Sequence, residues 1–483
     1  MSALHTFFRG WEYFILIYFA VLALIYAFSA YLGMRSVITY ARDLSQVGLK
    51  DLLERDFYKP VSILVPAYNE EAGIVAAVTA LLGLQHPQFE VIVTSDGSID
   101  RTVELMIQTF ELIEVPSAER RLVATKPVRR VLRSLRHPNL IVVEKENGGR
   151  ADAINAALNI ARFPLVCAVD ADCLVDAQAL IRASRLFVED KTVVGVGGTL
   201  RPLNGAVIRD GRVVDVHAPE KWVERIQVLE YARAFFTSRI AWSRINCLLI
   251  ISGAFGLFSR EAVLEVGGWW SSTVADDMEM VVKLHRHYRD LHQPYRLVST
   301  PDPICWTEIP SDFRALRRQR HGWQRGLWEV LWRHRGMLFN PRYGRVGMIG
   351  IPYLWLFEGF AALAEAFGYI YIIVSAILGD LNVEFAILFF VLAVFYAVLL
   401  SELAMGIETL LLTRYSSFRD RAVLFIAAFV EYVGVRQILT FVRAIAIFQV
   451  RRYRGRYWTS ERKGIPSPPN LSGPEVAPSP EAV

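Results

Sequence analysis

The sequence predicts an α/β domain built on a mostly parallel sheet, joined to an α-helical membrane region. Short runs of β-branched and apolar residues alternate with helical stretches between residues 57 and 310. Polar clusters follow the ends of those runs, where open parallel sheets bind ligands. Long apolar stretches flank this part on both sides. The bulk composition agrees: the 483 residues are 53% hydrophobic yet 21% charged, with a mean hydropathy of +0.30. That length leaves room for two or three domains.

Residues 13–34 form an uncharged, aromatic-rich run long enough to cross a bilayer. The run is too long for the apolar part of a signal peptide, so a retained anchor is expected over residues 1–56. Arg35, Arg42 and Lys50 follow it, which puts the next segment in the cytoplasm. VSILV (61–65) reads as a buried strand ended by Pro66, residues 70–84 as a helix, and EVIVT (90–94) as a second strand ending at Asp96-Gly97-Ser98. NLIVV (139–143) and PLVCAV (164–169) read as the next two strands, and the basic, proline-punctuated stretch 115–138 as a surface insertion. Residues 311–345 are expected to form interfacial helices. Within the region 346–450, stretches 346–378 and 385–412 read as spans. Stretch 422–448 carries Glu431, Arg436 and Arg443 and is either a span or an interfacial helix. A basic segment and a Pro/Ser-rich disordered tail are expected over 451–483.

The net charge is +5 with a pI near 8.9. The arginines cluster beside the apolar stretches, so membrane flanks and a bound diphosphate account for them, and nucleic acid is not an expected partner. Cys167, Cys173, Cys247 and Cys305 have no CxxC or zinc spacing and read as reduced thiols. His285, His287 and His292 fit no zinc motif and read as a solvated helix face. Glu358, Glu365, Glu402, Glu408, Glu431 and Arg436 lie in apolar stretches, where they either line a tunnel, sit at the interface or pair with one another.

Four segments carry candidate chemistry. Asp170-Ala-Asp172 ends a strand, and on extended backbone residues i and i+2 share a face, so two carboxylates can converge on Mg²⁺ or Mn²⁺. Its plain alternative is a loop with two solvated acids. After another strand, Ser98 or Asp100 can cap the next helix, while Asp96 can accept the imide N–H of a uracil. In Glu146-Asn-Gly-Gly-Arg150-Ala-Asp152 two glycines permit close backbone approach, Arg150 can face phosphate, and Asp152 suits the first turn of a helix. Asp276 can cap a helix, leaving Asp277 for general-base work. Residues 311–326 (SDFRALRRQRHGWQRG) add five arginines and a tryptophan able to stack a sugar. Together these are parts for moving a sugar off a nucleotide.

In this order, VSILVPAYNE (61–70), VIVTSDGSIDRT (91–102), ENGGRADAIN (146–155), AVDADC (168–173), ISGAFGLFSRE (251–261), TVADDMEM (273–280) and RRQRHGWQRG (317–326) resemble the membrane-bound family 2 glycosyltransferases. Cellulose, hyaluronan and poly-N-acetylglucosamine synthases are of this group. The resemblance covers residues 57 to about 335. It implies a GT-A fold and an inverting, metal-dependent transfer from a UDP-sugar to a growing β-linked polysaccharide, or by the alternative reading to a lipid-linked acceptor. A degenerate assembly partner without activity is the third reading. Donor contacts are implied for Ala67, Tyr68, Glu70, Asp96, Arg150, Asp152 and Asp170, and the metal for Asp172. Asp277 matches the catalytic base, with Asp276 before it. Gln319, Arg320 and Trp323 match the QxxRW motif that covers the diphosphate and guides the acceptor. Ser95, Arg150, Asp276 and Gly322 stand where the family usually has Asp, Lys, Glu and Arg. The charge absent at Gly322 is expected from Arg318, Arg320 or, on the same helix face, Arg325. A bacterial inner (plasma) membrane location is implied, multi-pass, with the catalytic domain cytoplasmic, membrane lipid around the spans, and export or accessory proteins as possible partners. No cyclic-di-GMP sensor domain is expected after the spans.

Overall fold

The computed structural model describes residues 2–46, 58–116, 121–209, 211–412, 415 and 417–450. The expected tail, the basic segment after residue 450 and Lys50 lie outside these.

A ten-stranded sheet carries the domain. Its strands are β1 (Val61–Ala67), β2 (Phe89–Asp96), β3 (Leu112–Val115), β4 (Val128–Ser134), β5 (Leu140–Lys145), β6 (Leu165–Val169), β7 (Cys173–Val175), β8 (Val193–Pro202), β11 (Phe255–Ser259) and β12 (Arg296–Thr307), while β9 (Ala206–Arg209) and β10 (Arg212–Val216) pair separately. The order across the sheet is β3-β4-β5-β2-β1-β6-β11-β8-β12-β7. The central β5, β2, β1 and β6 run parallel. β11 turns antiparallel to β6 and β8. Period-two alternation splits the core. Ile63, Val65, Val91 and Val93 face helices α2 (Ile74–Leu82) and α3 (Thr102–Phe110), while Leu64, Ile92 and Ile141 face α4 (Arg150–Ile160).

Two local expectations change. β1 continues through Pro66, which pairs with Thr94 of β2. Pairing with β6 has stopped at Leu64, so Pro66 is bonded on one side only, the setting in which a strand tolerates proline. The 115–138 stretch is not wholly an insertion, because β4 inserts antiparallel between β3 and β5. Its adjacent residues Val131 and Leu132 are buried on opposite faces of the sheet, a pattern the surrounding arginines conceal.

Among the described residues three segments are long and apolar enough to cross a membrane: Arg9–Tyr40 within helix α1 (Ser2–Gln46), Val346–Ile377 and Val383–Glu408. The third apolar stretch folds as Phe418–Val430 and Arg436–Phe448 around a π-helical turn, and is not among those three. Most acids in the apolar stretches are paired. Glu408 meets Arg201 of β8 at 3.0 Å, Glu431 meets Arg233 at 2.5 and 2.9 Å, and Glu365 meets Arg436 at 2.8 and 3.1 Å. Glu358 accepts the Tyr353 hydroxyl at 2.8 Å. His285 is not on a solvated face: it is fully buried between the Tyr295 hydroxyl and the Leu248 carbonyl, at 2.8 and 2.7 Å. All four cysteines are free and buried.

Candidate active site

The ends of the parallel strands gather the acidic motifs. β2 delivers Asp96 opposite its register partner Lys145 at the end of β5. Lys145 is fully buried, and its ammonium lies 2.6 Å from both Asp96 and Asp152. Asp96 also accepts the backbone N–H groups of Gly148 and Gly149, at 2.9 and 2.7 Å. Gly149 holds φ 90, a conformation that side chains disfavour. Asp96 therefore anchors the Gly-Gly turn that leads into α4, and three donors already occupy the carboxylate expected to read a uracil. Asp152 accepts the Lys126 N–H at 3.2 Å besides its bond to Lys145. Lys145 escaped the sequence reading. The available signal was a lysine ending an apolar strand, LIVVEK, next to a Gly-Gly turn.

Beside this triad, β1 ends at buried Ala67, followed by exposed Tyr68. Asn69 takes φ 54 and accepts the Ile99 N–H at 2.9 Å, while the Glu70 N–H donates to Thr102 at 2.8 Å. The two loops are thus stitched together. Asp100, not Ser98, meets the Thr102 N–H at the start of α3, at 3.1 Å.

Asp170 follows β6 directly, but Ala171 and Asp172 form a turn, closed by the Cys173 N–H to the Asp170 carbonyl at 3.1 Å. The expected extended geometry is therefore replaced by a turn. It still converges the side chains: ligand atoms of Asp170, Asp172 and Cys173 lie within 4.8 Å of one another. A hydrogen bond with Cys305 and burial both push the Cys173 thiol well up, so it stays protonated. Two hard carboxylate donors remain, a set suited to Mg²⁺ or Mn²⁺.

Arg150 links this turn to the second acidic motif. Its Nε donates to Asp170 at 2.8 Å, Nη1 to Asp276 at 2.5 Å and Nη2 to the Gly253 carbonyl at 2.8 Å. Burial opposes its charge, but Asp170 and Asp276 outweigh that and hold it protonated. The residue expected to face phosphate thus bridges two carboxylates. Asp276 is not a helix cap. Ala275 holds that position, and Asp276 is the first residue of α9 (Asp276–Asp290) with its carboxylate on Arg150. Burial pushes Asp276 up to about 6 against the pull of Arg150. Half-buried Asp277 accepts the N–H groups of Gly253 and Met278 at 3.2 and 2.8 Å. Gly253, in the loop just before β11, therefore serves both motifs, a role that no side-chain pattern signals. Arg239 also escaped notice. It lies over the Phe235 ring at 4.1 Å, with Nη1 buried and no hydrogen-bond partner among the described residues. Burial lowers it to about 10 while Asp277 pulls the other way.

Helix α10 (Phe313–Arg333) is capped by Asp312, which accepts the Ala315 N–H at 2.8 Å. Arg320 lies 2.5 Å from Glu230, 3.1 Å from Gln319 and 4.0 Å over the ring of half-exposed Trp323. Arg325 is buried, 3.7 Å from Glu329. Glu329 accepts from the Thr273 hydroxyl at 2.8 Å and the Val274 N–H at 3.3 Å. Arg325 thus reaches the loop before Asp276 through Glu329. Gly326 packs on that loop, and a Cβ there would lie 2.7 Å from Ala275; one turn earlier, a Cβ on Gly322 would meet nothing within 4 Å.

The family described as "Glycosyltransferase like family 2" matches residues 59–326. Poly-beta-1,6-N-acetyl-D-glucosamine synthase of Staphylococcus aureus is 27% identical over 279 residues, 58% of this chain and 57% of that protein. The Staphylococcus epidermidis synthase of the same name is 26% identical over 273 residues, 56% of each chain. The match thus spans little more than half the length of these curated relatives. Among solved structures, a mannosyltransferase from Pyrobaculum calidifontis in complex with GDP-Man and Mn²⁺ aligns at TM-score 0.47 and 19% identity, covering 85% of this chain and 99% of its own. Residues 1–349 of TarS from S. aureus align at TM-score 0.39 and 14% identity, covering 83% and 93%.

Proposed function

Because this chain belongs to the family 2 glycosyltransferases, we propose that it transfers a sugar, with inversion, from a UDP-sugar to a growing β-linked polysaccharide at a bacterial inner membrane. The observation that carries this reading is the Arg150 bridge. One guanidinium within hydrogen-bond distance of Asp170 and Asp276 draws the Asp170–Asp172 pair and the Asp276–Asp277 pair around a single centre.

Asp277 takes the proton of the acceptor hydroxyl, whose oxygen attacks the anomeric carbon. The bond from that carbon to the diphosphate breaks, and its electron pair leaves with UDP. The two N–H groups on Asp277 orient its carboxylate towards the centre. Asp172, with Asp170, would hold Mg²⁺ or Mn²⁺, which offsets charge on the leaving diphosphate. Arg150, bonded to Asp170 and Asp276, lies beside the metal-binding pair, where its guanidinium would meet the donor phosphates. Ala67, Tyr68, Glu70 and the turn held by Asp96 and Asp152 frame the nucleotide. Trp323, braced by Arg320 and Gln319, offers a stacking face for the acceptor sugar. Repeated addition with passage of the polymer along the spans completes the reading.

The test supplies purified protein in nanodiscs with UDP-sugars and Mg²⁺ or Mn²⁺. UDP-N-acetylglucosamine comes first, as the sugar in the relatives' names. Long polymer is the expected product. A lipid-sized product replaces the acceptor by a lipid carrier, as the altered QxxRW segment at Gly322 would allow. No turnover with any donor overturns the proposal.

A further inference from the structure

A second polar site lies at the other end of the same helices. The end of α10, the turns after it and Arg286 of α9 line an open cavity of about 250 Å³, with Arg333, His334, Arg335 and Tyr343 among its walls. Arg286 is ten residues along α9 from Asp276, roughly 15 Å at the helical rise, so this cavity is separate from the acidic centre.

Its charge is unbalanced. Glu279, fully buried, lies 3.5 Å from each of Arg333, His334 and Lys283. Asp290 lies 3.8 Å from Arg286 and 2.9 Å from Arg342. Arg335 donates to the Trp332 carbonyl at 3.2 Å and has no carboxylate partner among the described residues. Four arginine and lysine side chains therefore share two carboxylates and Arg335 has none, an excess of three positive charges before His334 is counted. His334 is 3% exposed, and its Nδ1 is buried with no hydrogen-bond partner among the described residues. With Nε2 facing the Glu279 carboxylate, Nδ1 is the ring atom left to a ligand in this cationic cavity, and in the protonated ring it donates to an anion.

We propose that this cavity binds a phosphate-bearing anion that bridges α9 and the end of α10. Arginine forks match phosphate oxygens in pairs. The volume admits a phosphate with a small ester group and falls below the roughly 300 Å³ at which pockets for drug-sized ligands begin. The candidate span Val346–Ile377 starts three residues after Tyr343, and exposed Trp332 and Phe339 lie close by in the chain. These features set the cavity near headgroup level. The anion is then either a phospholipid headgroup or a soluble phosphate compound.

The full chain in nonionic detergent separates these sources. Wild type, Arg335→Gln and Arg286→Gln/Arg335→Gln are titrated with phosphatidylglycerol and with phosphatidylcholine, read by native mass spectrometry. They are also titrated with inorganic pyrophosphate in EDTA, read by calorimetry, so that a metal-dependent donor site is silent. Each arginine lost should weaken binding about tenfold. Preference for phosphatidylglycerol, lost in the variants, identifies a headgroup site. Pyrophosphate binding lost in the same variants identifies a soluble phosphate. Binding of either probe that the variants leave unchanged, or no binding beyond that of phosphatidylcholine, overturns the proposal. Both arginines are exposed, so the variants should melt like wild type. The test uses no sugar donor, so its failure leaves the transferase reading intact.

Discussion

At the scale of single residues, the acidic centre depends on cations that neutralise it before any substrate arrives. Lys145 is the clearest case, fully buried between Asp96 and Asp152. Lys145→Met would leave two carboxylates buried and unpaired, a loss of roughly 3–5 kcal/mol. The expected result is a lower melting temperature and a higher KM for donor. Unchanged values for both would remove the triad's role. Asp277→Asn should lower kcat by roughly 10²–10⁴-fold while UDP still binds; a variant keeping more than a tenth of wild-type turnover would exclude Asp277 as the base. Gly322 and Arg325 make a contrasting pair. Gly322 opens on empty space, whereas Arg325 is committed to Glu329. Gly322→Arg should therefore fold normally and hold or raise turnover. Arg325→Ala should lower the melting temperature together with activity, because it frees buried Glu329 beside the Asp276 loop. Loss of donor affinity at an unchanged melting temperature would instead make Arg325 a direct phosphate contact.

Among the elements, α10 is the one that relays position. It is capped by Asp312, tied through Glu329 to Thr273 and Val274, and pressed by Gly326 against Ala275. Its outer face meets the Arg436–Phe448 helix, where Arg443 donates to Gln324 at 3.0 Å. A shift of α10 must therefore move the start of α9, which carries Asp276 and Asp277. Gly326→Leu puts a side chain where even a Cβ would stand 2.7 Å from Ala275. It should reduce kcat more than tenfold, on the order expected for roughly 1 Å of misplacement, with metal-dependent UDP binding retained. Full activity in this variant would mean that the contact carries no positional information.

Across the whole molecule, the sheet domain and the apolar helices are locked together by buried ion pairs and by packing. Arg201–Glu408 and Arg233–Glu431 cross between them, and Val37 of α1 shares an apolar cluster with Leu229, Ile240, Val398 and Ala404. At the opposite end of α1, Glu12 accepts from Tyr371 and Asn382 at 2.7 and 2.8 Å. The start of α1 and the turn near residue 380 thus share one end of the helical region, away from the sheet domain. The proposed cytoplasmic placement of the catalytic domain would turn that end outward, with Arg35, Arg42 and the arginines of 317–335 on the other side. Val383→Cys is exposed, and the four native cysteines are buried. An impermeant maleimide applied to intact cells should label it. Labelling only after permeabilisation would invert the topology.

The sequence by itself determined four central strands in a mostly parallel sheet, the segments long and apolar enough to cross a membrane, and the family to which the ordered motifs belong. These are local or linear properties: buried strands read as apolar runs, spans as long uncharged ones, and motifs by their spacing. It also brought Asp96, Asp152, Asp170, Asp172, Asp276 and Asp277 into view, since acids at strand and helix ends stand out against apolar neighbours. Only the tertiary structure decided which groups those acids meet. The partners Lys145, Arg150, Gly253 and Arg239 come from a strand end, a helix start, a loop and a π-helical turn far apart in the chain, and no periodicity links them. The same holds for β4, whose pairing with β3 and β5 rescues a basic segment from the surface, and for His285, whose burial depends on Tyr295 and Leu248. Pairing energies between distant polar groups depend on distance and solvent exclusion, and both are properties of the fold, not of the order of residues along the chain.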